Sequence, residues 1–394
     1  MIRQYYSVNE KYRKDTGQLN ITPRFLFGSG PANAYPRVLQ AIGSRQIANR
    51  DPQFVDLIKD IQSLLRYAWQ TDNAFTLPIS GTGRNAMEAV AANLIEPNDR
   101  ILVGVNGFFG NYICEAARRY GAKVFKLKGE IGAAFSLSAI EAQLKRVRPK
   151  VFFLIHGQSA SGTCQPMEGI GELCHRYDTL LVLDTVTSLG AVPVFLDHWK
   201  VDAAFTTGHR CLSCPPGISA FTFSERALRV IRNRKSRIAN STTDFSGLIR
   251  RKVSSRHYLY TLPINLVYGL REALQILAEQ GLEVTWKRHR ETAEALWEGL
   301  AEMGLRCPVH PDIRLPNLTA VDIPDTVDAD RIRPYLLKEF NIEISSGLGD
   351  WQGRVWRLGL MGINSRRANV VLLLSALKNA LAVHRRAFFS ETAG

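Results

Sequence analysis

Asp184 closes the apolar run Leu180-Leu181-Val182-Leu183. One strand later, Ala203-Ala204-Phe205 leads into the loop Thr206-Thr207-Gly208-His209-Arg210-Cys211-Leu212-Ser213-Cys214-Pro215-Pro216-Gly217, and Ser219–Phe223 follows as another apolar run. A carboxylate at the C-terminal end of a buried strand, with a cationic loop one strand on, suits a ligand site at the edge of an open α/β sheet. An acidic helix cap or a loop contact is the alternative that this local pattern leaves open. His209 is a candidate acid or base in the loop. Arg210 is not, because a guanidinium with a pKa above about 12 is neither a ready nucleophile nor a base at neutral pH.

Other stretches have chemistry of their own. Ser80-Gly81-Thr82-Gly83-Arg84 feeds a helical pattern of Ala86, Met87, Ala89, Val90, Ala92 and Leu94. A Gly/Thr turn at a helix start offers unpaired N–H groups and the positive end of the dipole to an anion, and Arg84 adds a fork that grips phosphate. Taken alone, this is also the pattern of a turn that binds nothing. Phe109 follows the strand Arg100–Val105, where its ring can stack on a flat ligand or simply enter the core. The apolar strand Val151–Ile155 ends in His156-Gly157-Gln158-Ser159, and His156 reads there as a packing residue. The Gly-rich loop Phe27–Asn33 permits close backbone approach to a ligand or is a plain turn. Arg357 stands alone in an apolar strand, where a lone arginine normally pairs with an internal carboxylate.

The elements that would position these groups alternate. Apolar strands at 75–79, 100–105, 123–128, 151–155, 180–184, 203–205 and 219–223 are separated mostly by helical patterns. That rhythm predicts βαβ units and a mostly parallel sheet flanked by helices. Two long amphipathic helices, 266–282 and 284–303, then change the rhythm. Strand and helix patterns from 318 to the last helix at 366–384 predict a smaller C-terminal α+β domain. The expected divisions are an N-terminal arm at 1–20, a large domain at 21–264 and a small domain at 265–394.

The chain has 394 residues, 45% hydrophobic and 22% charged, which suits a soluble globular protein of two domains. Its net charge of +14 is scattered except for Arg250-Arg251-Lys252 and Lys287-Arg288-His289-Arg290, and no nucleic-acid module accompanies those clusters. No apolar run is long enough to span a membrane, and neither a secretory signal nor a peroxisomal C-terminus is present. Six cysteines without a framework point to a reducing cytoplasm. Cys211-x-x-Cys214 lacks a second ligand pair, so no metal site is expected.

Taken together these stretches resemble the class V aminotransferases of the fold-type I pyridoxal-phosphate enzymes, closest to the alanine–glyoxylate and serine–pyruvate branch. The resemblance runs from about Phe27 to His384. It rests on Ser80-Gly81-Thr82-Gly83, Gly107-Phe108-Phe109-Gly110, His156-Gly157, Asp184, Pro215-Pro216-Gly217 and the stretch from Gly347 to Gly362. It implies pyridoxal 5'-phosphate held by Thr82, Gly83 and Arg84 at its phosphate, by Phe109 at its ring face, by Asp184 at its ring nitrogen, and by Ser159 and His209. Tyr258 and Thr261 would reach the cofactor of the neighbouring subunit in a homodimer, and Arg357 and Asn33 would face a small amino acid or oxo acid substrate. In that family the loop reads Gly-Ser-Gln-Lys, and the lysine carries the cofactor as a Schiff base. Here Arg210 stands at that place, next to His209 where the family often has glutamine; Arg84 is a further departure.

The resemblance therefore leaves three functions open: an aminotransferase whose lysine has been replaced, with transamination impaired or absent; an enzyme using the same pocket for a different reaction, with or without pyridoxal, and with His209 and Asp184 near the chemistry; and a non-catalytic binding homologue. Asp184 favours the first over the third, because a pocket without pyridoxal has no evident need of that carboxylate.

Overall fold

The computed structural model describes residues 9–251 and 261–384. A seven-stranded sheet forms its centre, in the order β2 (Phe75–Ser80), β10 (Ile218–Phe223), β9 (Ala203–Thr207), β8 (Leu180–Asp184), β5 (Val151–Ile155), β3 (Arg100–Val105) and β4 (Lys123–Lys128). Only β10 runs antiparallel to its neighbours; the other neighbouring pairs are parallel. Strands β5, β8 and β9 are buried along their whole length, which is why they read as unbroken apolar runs instead of alternating ones.

Register decides where the chemistry gathers. Ile155 pairs with Asp184, and Asp184 with Phe205, so the loops after β5, β8 and β9 leave the sheet at one edge. The turn after β2 leaves at the same edge and starts α3 (Gly83–Leu94).

Helices cover both faces. On one side α1 (Pro36–Ile42), α2 (Pro52–Trp69), α5 (Leu137–Val147), α6 (Ile170–Arg176) and α9 (Ile264–Gln280) build a core around Phe54, Ile61, Trp69, Leu144, Leu181 and Leu270. On the other, α3, α4 (Phe108–Arg119), α7 (Glu225–Arg232) and α8 (Ser246–Arg251) enclose Val90, Ile113, Phe153, Phe205, Phe221 and Phe245. Helix α1 ends at Ile42, with Gly43 as its C-cap.

The C-terminal part has its own core, built by α10 (Leu282–Glu302), α11 (Ala329–Phe340), α12 (Arg367–Val383) and a three-stranded antiparallel sheet. That sheet has the order β11 (Leu318–Asp322), β14 (Val355–Gly359), β13 (Ser345–Ser346). Two small pairings complete the strands: β6 (Gly157–Gln158) with β7 (Thr163–Cys164), and β1 (Phe25–Leu26) with β12 (Ile342–Glu343). The last pairing ties Phe27 into the C-terminal core, whereas the apolar face of α9 belongs to the large one. Packing thus crosses the sequence boundaries at 21–264 and 265–394 in both directions, because a two-residue parallel strand carries no periodicity to announce it.

Candidate active site

A cavity of about 240 Å³ opens at the C-terminal edge of the large sheet. Its wall includes Thr82, Gly83, Arg84, Phe109, Ser159, Asp184, His209 and Arg210, so the structure brings together eight of the residues singled out in the sequence.

Asp184 forms the base. It ends β8 and is 9% exposed. One oxygen, Oδ1, accepts a hydrogen bond from the Val186 N–H at 2.8 Å. Burial pushes its carboxyl up to about 7, against the pull of that hydrogen bond and of the Arg210 charge. A carboxyl poised near neutrality at the bottom of a cleft can hold or accept a proton at a basic ligand atom.

The loop after β9 is fixed from several directions. Cys214 N–H donates to Gly208 O at 2.9 Å, Ser213 N–H to Arg210 O at 2.9 Å and Ala32 N–H to His209 O at 3.0 Å. Ser213 Oγ accepts from Ile363 N–H at 3.0 Å, which ties the loop to the C-terminal part. Loop backbone held in this way keeps side chains in place without a strand of its own.

His209 Nδ1 lies 2.8 Å from Thr207 Oγ1, which lies 3.1 Å from Ser219 Oγ, which lies 2.9 Å from Gly81 O. The carbonyl can only accept, so the Ser219 hydroxyl donates to it. The same hydroxyl faces Thr207 Oγ1 as a second acceptor, and Thr207 Oγ1 in turn holds His209 Nδ1. The contact fixes the orientation of the imidazole. Burial, with the Arg210 charge adding to it, brings its pKa down to about 4, so the ring is neutral.

Arg210 has a different situation. Its guanidinium lies against the backbone of Gly30, whose φ is +118°; a Cβ there would sit 2.7 Å from the arginine Nε. Burial lowers its pKa to about 10, so it stays charged at neutral pH. Nε and Nη1 are shut away from solvent and have no hydrogen-bond partner.

The other end of the cavity is open. Thr82, Gly83 and Arg84 begin α3, and the Thr82 N–H is already taken by Asn85 Oδ1 at 2.9 Å. Gly83 is where the helix start meets the sheet edge: a Cβ at that position would lie 2.8 Å from a Val186 methyl. Arg84 is exposed and lies over the Tyr112 ring, 4.4 Å from its centroid. Phe109, in the first turn of α4, faces the cavity, and Phe108 meets it edge-on at 5.3 Å.

Ser159 Oγ is buried on the cavity wall with no partner, and so is Gln158 Oε1. Gln158 was missed in the sequence. Its Nε2 donates to Asn106 Oδ1 at 3.1 Å, and only that long-range contact shows the side chain to be anchored beside the cavity. His156 packs edge-on against Trp199 and is neutral, its pKa brought down to about 4 by burial.

Three expected residues have other surroundings. Arg357 is 5% exposed and donates from Nε to Ser346 O and from Nη1 to Ser159 O, each at 2.7 Å. It reaches the cavity through the Ser159 backbone instead of lining it. Asn33 is engaged with the chain itself: its Oδ1 accepts from Leu26 N–H and Asn364 Nδ2, and its Nδ2 donates to Arg24 O. The carbonyl oxygen and one N–H of the amide hold the N-terminal strand, and the residue is not on the cavity wall. Thr261 is exposed and away from the cavity wall, and Tyr258 lies outside the described residues. All six cysteines are free, Cys211 and Cys214 included.

The family model described as aminotransferase class V matches residues 24–351. The alanine–glyoxylate aminotransferase of Mus musculus is 40% identical over 92% of this chain and 89% of its own. The crystal structure of alanine–glyoxylate aminotransferase from Nostoc sp. superposes with a TM-score of 0.93 at 46% identity, covering 95% of this chain and all of that one. The ureidoglycine–glyoxylate aminotransferase from Bacillus subtilis superposes with a TM-score of 0.90 at 36% identity, covering 94% and 97%.

Proposed function

The chain belongs to the class V aminotransferases, and from that premise we propose that it is a glyoxylate-type aminotransferase scaffold that binds pyridoxal phosphate. We place Arg210 where the family's cofactor-bearing lysine would stand, so that ordinary transamination is impaired or absent. The observation that carries this reading is the pairing, in one cavity, of a near-neutral buried carboxyl at Asp184 with a charged guanidinium at Arg210 whose Nε and Nη1 lack partners.

The residues present fit the cofactor. Ser159 Oγ and two Arg210 nitrogens are buried polar atoms waiting for a partner, and Gly83 lets the first turn of α3 close on the sheet edge. When bound, pyridoxal phosphate supplies a reactive aldehyde on an electron-withdrawing ring. Thr82, Gly83 and Arg84 would hold its phosphate, Phe109 would cover a ring face, and Asp184 would keep the ring nitrogen protonated. Ser159 and His209 complete the cavity wall. Arg357, held to the Ser159 carbonyl, fixes the floor over which a substrate carboxylate would lie. Alanine or serine as amino donor and glyoxylate or pyruvate as acceptor are the substrates we infer from the relatives.

Arg210→Lys tests this directly. The variant should acquire a borohydride-reducible link to pyridoxal phosphate at position 210 and transfer an amino group from alanine or serine to glyoxylate. The parent protein should do neither. Efficient amino transfer by the parent, or a borohydride adduct on a lysine elsewhere in near-stoichiometric yield, would overturn the assignment of position 210.

A second reading, a different reaction in the same cavity, is favoured by one observation. The Thr207–Ser219–Gly81 contacts hold His209 in place as a neutral imidazole on the cavity wall. An Arg210→Lys variant that links the cofactor yet transfers nothing would support it, with His209→Gln the next change.

We also read the protein as a homodimer of the reducing cytoplasm. Tyr12, Leu19 and Ile21 lie 71–88% exposed in the N-terminal segment, which gives a second copy something to bind. Among the described residues no helix is long and apolar enough to cross a membrane. Sedimentation at micromolar concentration should give a dimer's mass, and a monomer's mass would count against a shared site.

A further inference from the structure

Arg210 is a buried cation without a counter-ion. It makes no ion pair within 4 Å with any described residue, and Asp184 is not within that distance. Its Nε and Nη1 are closed to water and bonded to nothing. A fixed charge in such a place is costly unless something supplies oxygen lone pairs. The surrounding groups do not. On one side lies the Gly30 backbone, so close that only a glycine is tolerated. The neighbouring ionisable groups are Cys211, whose thiol burial pushes up to about 12, and Asp184. His209 is neutral, and Arg357, the next charge towards the C-terminal part, is itself a cation. Arg210 nevertheless lines the cavity, so a ligand there meets a positive charge that no group of the described residues neutralises.

The two forms of an aminotransferase ligand differ at this point. The oxo form offers a carbonyl oxygen, which only accepts. The amino form offers an ammonium, which only donates and carries a like charge. We propose that Arg210 makes this cavity selective for the oxo form: it takes the aldehyde form of its cofactor and rejects the amine form. The proposal rests on the cofactor reading above and adds which state of that cofactor the site holds. A family lysine must accommodate both states in turn; a permanently charged fork facing the cavity does not.

Affinity for three compounds of shared ring and phosphate tests this in the full-length protein. They are pyridoxal phosphate, pyridoxamine phosphate and, as a neutral control, pyridoxine phosphate. Each is measured by competition against a fluorescent ligand of the site, so that adducts on surface lysines do not register. The aldehyde should bind at least about tenfold more tightly than the amine, with the alcohol between them. Arg210→Met, which keeps volume and removes the charge, should bring the ratio towards one mainly by improving the amine; Arg210→Gln, which keeps donors without the charge, should give an intermediate ratio. Equal or tighter binding of the amine by the parent would overturn the proposal, as would a ratio unchanged in Arg210→Met. Binding of none of the three would overturn the cofactor reading itself and the selectivity with it.

Discussion

The two ends of the cavity are built on different principles. At the base, Asp184, His209 and Arg210 are buried, and burial is the first cause of each one's displaced pKa. At the mouth, Thr82 and Arg84 are exposed. The base holds its charges in fixed, poorly solvated states, where each is felt strongly by a ligand and by the fold. The mouth offers backbone N–H groups and a solvated cation, which attract an anion at little structural cost. On the function proposed above, the contrast separates two tasks: the mouth would capture the ligand, and the base would set its protonation and chemical form. Substitutions at the base should therefore change stability and its pH dependence, while those at the mouth should change ligand binding with the fold nearly untouched.

The largest expected effect is at Asp184. Its folded pKa of about 7 stands above the unfolded value of 3.8. Between these values the unfolded chain gives up its proton first, so this group's contribution makes stability fall as pH rises from about 4 to 7 and level off above. Roughly three units at 1.36 kcal/mol each set an upper limit of about 4 kcal/mol. Asp184→Asn keeps an oxygen for the Val186 N–H and removes the titration. Urea unfolding of the cofactor-free protein at pH 5 and pH 8 should show the variant gaining on the parent at the higher pH. No difference between the two profiles would mean that the base is better solvated than its burial implies.

A middle-sized effect is expected where Gly30 meets Arg210. Gly30→Ala forces a side chain into φ +118° and towards the guanidinium, at a cost of about 1–3 kcal/mol. In an Arg210→Ala background the contact is gone and only the backbone strain remains. A double-mutant cycle should give a coupling energy of about 1 kcal/mol or more. Additive losses would show that the two do not press on one another.

The smallest effect belongs to the mouth. Arg84→Ala removes an exposed cation over Tyr112 and should lower stability by about 0.5–1 kcal/mol at most. Inorganic phosphate or pyridoxine phosphate should bind severalfold more weakly to the variant, and the loss should shrink as salt rises. A stability loss as large as that of Gly30→Ala would break the contrast between a structural base and a structurally neutral mouth.

Much of this was legible along the chain. Strands with uninterrupted apolar runs are those buried on both faces, so β5, β8 and β9 announced both themselves and their depth. The Gly81-Thr82-Gly83 turn announced a helix start, and the Pro215-Pro216-Gly217 loop announced a bend between strands. The resemblance added roles to eight residues that line one cavity. What escaped was the partnership of side chains. Nothing along the chain announced that the Asn33 amide bonds Arg24, Leu26 and Asn364. Gln158 looked like any loop residue until Asn106 held it at the cavity wall.

The division has a physical reason. Periodicity, turn residues and strand ends are local properties, set by sterics and burial within a few residues. By itself the sequence determined the α/β alternation, the carboxylate at the end of β8, and an arginine at position 210 with no choice of protonation state at neutral pH. Hydrogen-bond satisfaction is settled by groups far apart in the chain, as when Arg357 reaches the Ser159 carbonyl across 198 positions. Only the tertiary structure decided that Thr207 holds the His209 ring, that Arg357 bonds the Ser159 carbonyl, and that two nitrogens of Arg210 are enclosed without a hydrogen-bond partner among the described residues.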